Sequence, residues 1–238
     1  MIEDKFMINN KKRGFTLGEI LVALVIVGIL AILVVPGLIK DANNKSKMSL
    51  LRGTVTNINS IVQNELVKAG SNDLNNTNIC TDSKKFLLNF DPTGKVYDYD
   101  DGFSDSYYNY KGGSGAVNTS GSVLLKNGVG LAVCCDCYKT GDVIISIDLN
   151  GKKEPNIVGV DYFEVQVITE DDLDKGIHAG DIGSEAWVDI NDKETFSGVQ
   201  IPCHDGNGLA CYRLAELSGF DPDYISQDYS KKDNKIDE

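Results

Sequence analysis

From Phe15 to Ile39 the chain reads FTLGEILVALVIVGILAILVVPGLI, 25 residues in which Glu19 is the one ionisable side chain. At about 1.5 Å of rise per residue, a helix of this length crosses a hydrocarbon core of roughly 30 Å. Everything after it is polar enough for a soluble domain. The whole chain of 238 residues has room for one medium domain plus an appendage, or for two small domains. Any fold must therefore put residues 15–39 in a separate environment from the rest.

Three readings compete for the first 39 residues. A cleaved secretory signal has a shorter apolar stretch and a small-residue cleavage site after it. Here the run is longer and ends in Pro36-Gly37-Leu38-Ile39-Lys40. A plain membrane anchor fits the length but has no use for Glu19, because a carboxylate inside a span costs about 2.5–3.5 kcal/mol on insertion scales. Basic residues do not settle orientation either. Lys5, Lys11, Lys12 and Arg13 precede the run, and Lys40, Lys45, Lys47 and Arg52 follow it.

The third reading accounts for the carboxylate. Lys11-Lys12-Arg13-Gly14-Phe15-Thr16-Leu17-Gly18-Glu19 resembles the prepilin processing site of the type IV pilin and pseudopilin family. The resemblance covers residues 11–39. It implies that a prepilin peptidase cuts between Gly14 and Phe15, removes residues 1–14 as a leader, and leaves Phe15 as an N-methylated new N-terminus. Glu19 then lies five residues into the mature chain, where the family carries its glutamate, and Pro36 lies where many pilins have a kinking proline. Gly18 departs from the bulky aliphatic residue more usual there. On this reading Glu19 of an incoming subunit pairs with the Phe15 amine of a neighbour, which offsets part of the cost of a charge in hydrocarbon and sets axial register. A glutamate this near the cut also reaches the cytoplasmic interface by snorkelling.

The helix is expected to continue past Lys40. Met48, Leu51, Val55, Ile58, Val62, Leu66 and Ala69 recur at steps of three and four, one helical stripe, and Gly70-Ser71-Asn72-Asp73 supplies a stop. Residues 15–39 then form a membrane and filament-core segment, and 40–70 an amphipathic half of the same helix, with Pro36-Gly37 and Gly53 as softening points. From Ile79 onward strand-like segments dominate. Residues 122–133 read as a hairpin about Asn127-Gly128. A second pair runs over 143–149 and 160–168, where Tyr162, Glu164 and Gln166 alternate with Phe163, Val165 and Val167, so that one face is buried. The span IDLNGKKEPNIVGVDYFEV also resembles a D-x-N-G…P-N…G-x-D-x-F pattern of some bacterial pilin-like proteins. Residues 98–121 read as a surface loop whose Tyr107, Tyr108 and Tyr110 are either adhesive or packed on their own domain. The expected class is α+β and pilin-like: a long N-terminal helix on a small antiparallel sheet, with a globular domain over 71–224 and a disordered tail over 225–238.

Six cysteines, Cys80, Cys134, Cys135, Cys137, Cys203 and Cys211, all follow the apolar run. An even count in an exported segment points to disulfides made in an oxidising compartment. Cys203 and Cys211 flank HDGNGLA and are expected to pair, and Cys80 to join one of Cys134, Cys135 and Cys137. Zinc is disfavoured, since CCDC has no second CxxC and His178 and His204 are the whole histidine complement. The net charge of −12 repels phosphate backbones and argues against nucleic acid as a partner. No GxSxG, HExxH, P-loop or Rossmann glycine pattern occurs, so no enzyme is expected. Calcium is the one cofactor considered, at Asp98, Asp100, Asp101 and Asp105 around Gly102, although their spacing does not follow the EF-hand template.

Together these features give the expected function: a structural subunit, major or minor, of a type IV pilus-like filament. The alternatives are a pseudopilin of a type II secretion system, or a minor pilin whose exposed domain binds a ligand or DNA. The expected partners are a prepilin peptidase, other pilin subunits and the bacterial inner membrane. The precursor would sit in that membrane with its C-terminal domain exported, before joining a periplasmic or cell-surface filament.

Overall fold

The computed structural model describes residues 14–71, 73–98, 107–108, 114–115, 119–136, 143–153, 156–169, 178–183, 203 and 208–223. Residues 1–13 of the expected leader (1–14) and all of the expected tail, 225–238, lie outside them. The chain divides into two compact units, Met1–Ala42 and Asn43–Glu238. Helix α1, Leu17–Ala69, runs through both.

In the first unit α1 is apolar all round. Its large side chains from Leu17 to Ile39 are exposed, and none of its most apolar window is buried. A core helix of a soluble domain would be covered, so this segment has the length and surface of a membrane span. The helix starts at Leu17 rather than Phe15 because Thr16 takes the cap. Pro36 sits inside it without an N–H, which leaves the Ile32 carbonyl without its usual donor four residues on.

In the second unit α1 becomes amphipathic. Met48, Leu51, Val55, Ile58, Val62 and Leu66 are buried as the spacing requires, each worth about 1.5–3 kcal/mol of burial. Ala69, the last residue of the expected stripe, is exposed. Gly70 ends the helix in the left-handed conformation, its N–H bonded to the Leu66 carbonyl at 3.0 Å.

Two short helices follow, α2 (Asn78–Thr81) and α3 (Ser83–Leu87), capped by the side chains of Thr77 and Asp82. The main sheet holds β1 (Lys95–Asp98), β4 (Gly121–Leu124), β5 (Gly130–Cys135), β6 (Val143–Asp148), β7 (Tyr162–Val167) and β8 (Ile182–Gly183), in that spatial order and antiparallel throughout. A separate ribbon pairs β2 (Tyr107–Tyr108) with β3 (Ser114–Gly115). Helix α4 spans Gly208–Leu217. This is the α+β arrangement expected, a long N-terminal helix whose second half shares one hydrophobic core with a small antiparallel sheet.

The β4–β5 hairpin turns at Asn127-Gly128 as the dipeptide predicts. Gly128 has φ +88° while Asn127 does not have positive φ, so the turn is type I followed by a left-handed glycine. Three expectations change. Helices α2, α3 and α4 interrupt the strand-rich half. Tyr162, Glu164 and Gln166 do not face solvent: both faces of β6 and β7 are buried. The register shows why two chemistries are hidden. Leu131, Ile147 and Phe163 line up on one face, and Ala132, Ser146 and Glu164 on the other. Helix α4 covers the second face, so closely that a Cβ on Gly208 would lie 2.7 Å from Glu164 Cγ. Finally, the stretch read as a surface loop contributes the β2–β3 ribbon, and Tyr107 within it is buried.

Candidate functional site

The N-terminal segment carries the sequence's most specific pattern, and its local geometry is a capping box. Thr16 Oγ1 accepts the Glu19 N–H at 3.2 Å, and Glu19 Oε2 accepts the Thr16 N–H at 2.8 Å and its hydroxyl at 2.9 Å. Each residue satisfies a donor that the helix start would otherwise leave open. Glu19 is thus held by its own chain at the first turn, with Phe15 and Gly14 exposed just before it. A Cβ on Gly14 would meet nothing within 4 Å. The fold places no steric demand for glycine there.

The cysteines of the second unit form Cys80–Cys135, with Cα atoms 5.8 Å apart, and Cys203–Cys211, at 4.6 Å. Cys134 is also disulfide-bonded. The Cys80–Cys135 bridge ties the end of β5 to α2, and the Cys203–Cys211 bridge ties the start of α4 to the chain before it.

Sequence reasoning missed two polar anchors on α1. Glu65 lies on the buried stripe. Burial works against its charge, but Lys68, Asn78 and Asn89 bond its two oxygens at 2.7, 2.8 and 3.2 Å and together hold the carboxyl below the usual range. Its phase beside Val62 and Leu66 was the available signal. Lys47 Nζ meets Asp161 Oδ1 at 2.5 Å, with the Asp161 side chain fully buried. Nothing local in the sequence announces that pair.

Asp161 belongs to the D-x-N-G…G-x-D span, whose parts now have structural roles. Asp148 Oδ1 accepts the Asn150 N–H at 3.0 Å, and Leu149 N–H reaches the Asp161 carbonyl at 2.8 Å. Gly151, at φ +62°, lets the loop pass Leu124 and the Gly128 carbonyl, where a Cβ would come within 2.8 and 2.9 Å. Gly159, at φ +84°, lies against the Cys203–Cys211 bridge, where a Cβ would be 2.8 and 2.9 Å from the two sulfurs. Asp148 Oδ2 accepts the Tyr107 hydroxyl at 2.7 Å.

Of the calcium candidates, Asp100, Asp101 and Asp105 lie outside the described residues, and Asp98 ends β1 opposite Gly121. Among the described residues no group of three or more histidine, cysteine or acidic side chains is placed to hold a metal. A groove of about 430 Å³ runs beside α1, lined by Ser46, Leu50, Gly53, Asn57, Phe90 and Leu125 among others, none of which titrates near neutral pH.

Residues 9–35 match the family model for the prokaryotic N-terminal methylation motif, the prepilin signature of type IV pilins. No curated protein and no solved structure matches the chain significantly. The chain therefore carries a type IV pilin-like or pseudopilin N-terminus on a disulfide-bonded α+β domain. That signature marks a structural family, processed by a prepilin peptidase and assembled with other pilin subunits, and the exposed apolar helix fits a membrane-anchored precursor.

Proposed function

We propose that this protein is a structural subunit of a type IV pilus-like filament, released from its leader at Gly14–Phe15 and methylated on Phe15. The observation that carries this reading is the methylation motif over residues 9–35, coinciding with a helix start at which Glu19 is already held within the first turn. A plain anchor has no use for that carboxylate. In the membrane the Thr16 bonds lower its cost, and on assembly the Phe15 amine of a neighbour replaces them with an ion pair. The subunit then leaves the inner membrane with residues 15–39 as filament core and the disulfide-bonded domain exported.

Two variants test this in a cell that contains the matching peptidase and assembly machinery. Gly14→Ala leaves uncut precursor in the membrane. Glu19→Ala is cut normally yet is depleted from sheared filaments. Normal trimming of the glycine variant would overturn the cleavage assignment, and undiminished incorporation of the glutamate variant would overturn the assembly role.

A further inference from the structure

A chain of net charge −12 gathers four exposed lysines at one end of its sheet. Lys95 opens the edge strand β1 and pairs across to Leu124. Lys126 follows two residues after Leu124, in the β4–β5 turn. Gly151 brings the loop after β6 against Leu124 and Gly128, and that loop carries Lys152 and Lys153. The Lys95 and Lys152 ammoniums stand 4.6 and 5.8 Å from the centre of the Tyr97 ring, which orients them without neutralising them. Lys126 lies 3.9 Å from Asp91 with 74% of its side chain exposed, and Asp91 already accepts the Thr93 N–H and hydroxyl at 2.9 and 2.8 Å. Among the described residues no carboxylate pairs with Lys95, Lys152 or Lys153.

The far side of the sheet has the opposite sign. Helix α4 packs on β7, four strand steps or roughly 19 Å across from β1. Phe220 folds back on α4, its N–H bonded to the Ala215 carbonyl at 2.8 Å and its ring 6.2 Å from Tyr212. From Leu214 to Asp223 the chain carries Glu216, Asp221 and Asp223 and no lysine or arginine. Arg213 takes Glu216 at 2.8 Å, while Asp221 and Asp223 stay exposed. We propose that the basic β1 edge of one subunit docks on the α4 flank of a second copy, with Lys95, Lys152 and Lys153 facing Asp221 and Asp223. The complementarity offsets part of the repulsion between copies of net charge −12. The two surfaces differ and lie on opposite sides of one sheet. Each contact therefore leaves a basic edge free on one copy and an acidic flank free on the other, and such a heterologous contact repeats into an open array. This inference rests on the filament reading and names the surfaces that its subunits bring together outside the membrane.

Zero-length carbodiimide crosslinking of the full chain in detergent, on an equal mixture of unlabelled and nitrogen-15-labelled protein, tests it. Mass spectrometry should find mixed-isotope peptides that join Lys95, Lys152 or Lys153 to Asp221 or Asp223. Their yield should fall about tenfold in about 0.5 M sodium chloride, where the screening length is roughly 4 Å. The double variant Lys95→Glu/Lys152→Glu should lose these links about tenfold, and so should Asp221→Lys/Asp223→Lys. A mixture of the two variants should recover links between the exchanged positions. Mixed-isotope links confined to other residues, no mixed links at all, or no recovery in the mixture would overturn the contact. Binding of a DNA duplex by the wild type but not by Lys95→Glu/Lys152→Glu, with no mixed links, would give the edge to a polyanion and overturn it too. Because the first arm is read on the wild type, a variant that misfolds cannot mimic its result. The filament reading fails on a different observation, an untrimmed N-terminus, which leaves the crosslink pattern unaffected.

Discussion

Replacing Lys47 by methionine removes the ammonium from Asp161 and leaves a fully buried carboxylate with an intact apolar neighbour of similar length. Breaking a buried pair from one side costs about 3–5 kcal/mol, because the remaining charge keeps its desolvation penalty. The reverse change is milder. Lys47 keeps about a quarter of its side chain exposed, 27%, against 0% for Asp161. In Asp161→Asn the ammonium therefore swings to water, and the loss falls to about 1–2 kcal/mol. The double variant leaves no buried carboxylate stripped of its ammonium and should resemble Asp161→Asn alone, so the coupling between the two sites equals the Lys47→Met loss, about 3–5 kcal/mol. Urea unfolding of the full chain in detergent, followed by near-ultraviolet circular dichroism, measures all four corners of the cycle. Equal single losses that simply add in the double variant would refute the claim that this pair clamps α1 to the loop before β7.

Three further outcomes follow from the same geometry. Asp148 has a folded-state value of about 7 against 3.8 unfolded, so protonation stabilises the fold. That contribution is complete below about pH 3.8 and is lost as pH rises to about 7, about 4 kcal/mol at about 1.36 kcal/mol per unit. Glu65, held below the usual range, has the opposite sign and loses stability as pH falls, so thermal melting should peak on the acid side of neutrality and Asp148→Asn should flatten the alkaline limb. The bridges close loops of very different size, with sequence separations of 55 and 8 residues. Loop entropy then makes loss of Cys80–Cys135 cost about 4 kcal/mol and loss of Cys203–Cys211 about 2.5 kcal/mol, an order that melting of the paired serine variants checks. Thr16→Ala removes one half of the capping box and should weaken amide protection in the first turn of α1 by about 1 kcal/mol, leaving the turn around Met48 unchanged.

Much of this fold is written in side-chain spacing. The apolar run and the Met48–Leu66 stripe are periodic, so both halves of α1 follow from one-dimensional pattern, as does the hairpin at Asn127-Gly128. The hidden polar face was not legible. Tyr162, Glu164 and Gln166 alternate like a solvent face, and only the lid provided by α4 reverses that reading. That helix opens in a glycine-rich stretch and has no stripe longer than three turns. Lys47 looks like an ordinary solvated helix residue until Asp161 arrives beside it, and Glu65, though its phase puts it on the buried stripe, shows no partner until Asn78 and Asn89 come in from outside the helix. At the N-terminus the motif positions could be read directly, whereas the bonds that hold Glu19 in place depend on where the helix begins. Thr16 sets that point.

The central claim is that this chain is made with a leader and enters a filament from Phe15 onward. Mass spectrometry of the N-terminal peptide, from protein recovered out of membranes and sheared filaments, tests it most directly. The account predicts a peptide that begins at Phe15 and carries one methyl group on its amine. A peptide that begins at Met1, or at any residue within the apolar run, would contradict it.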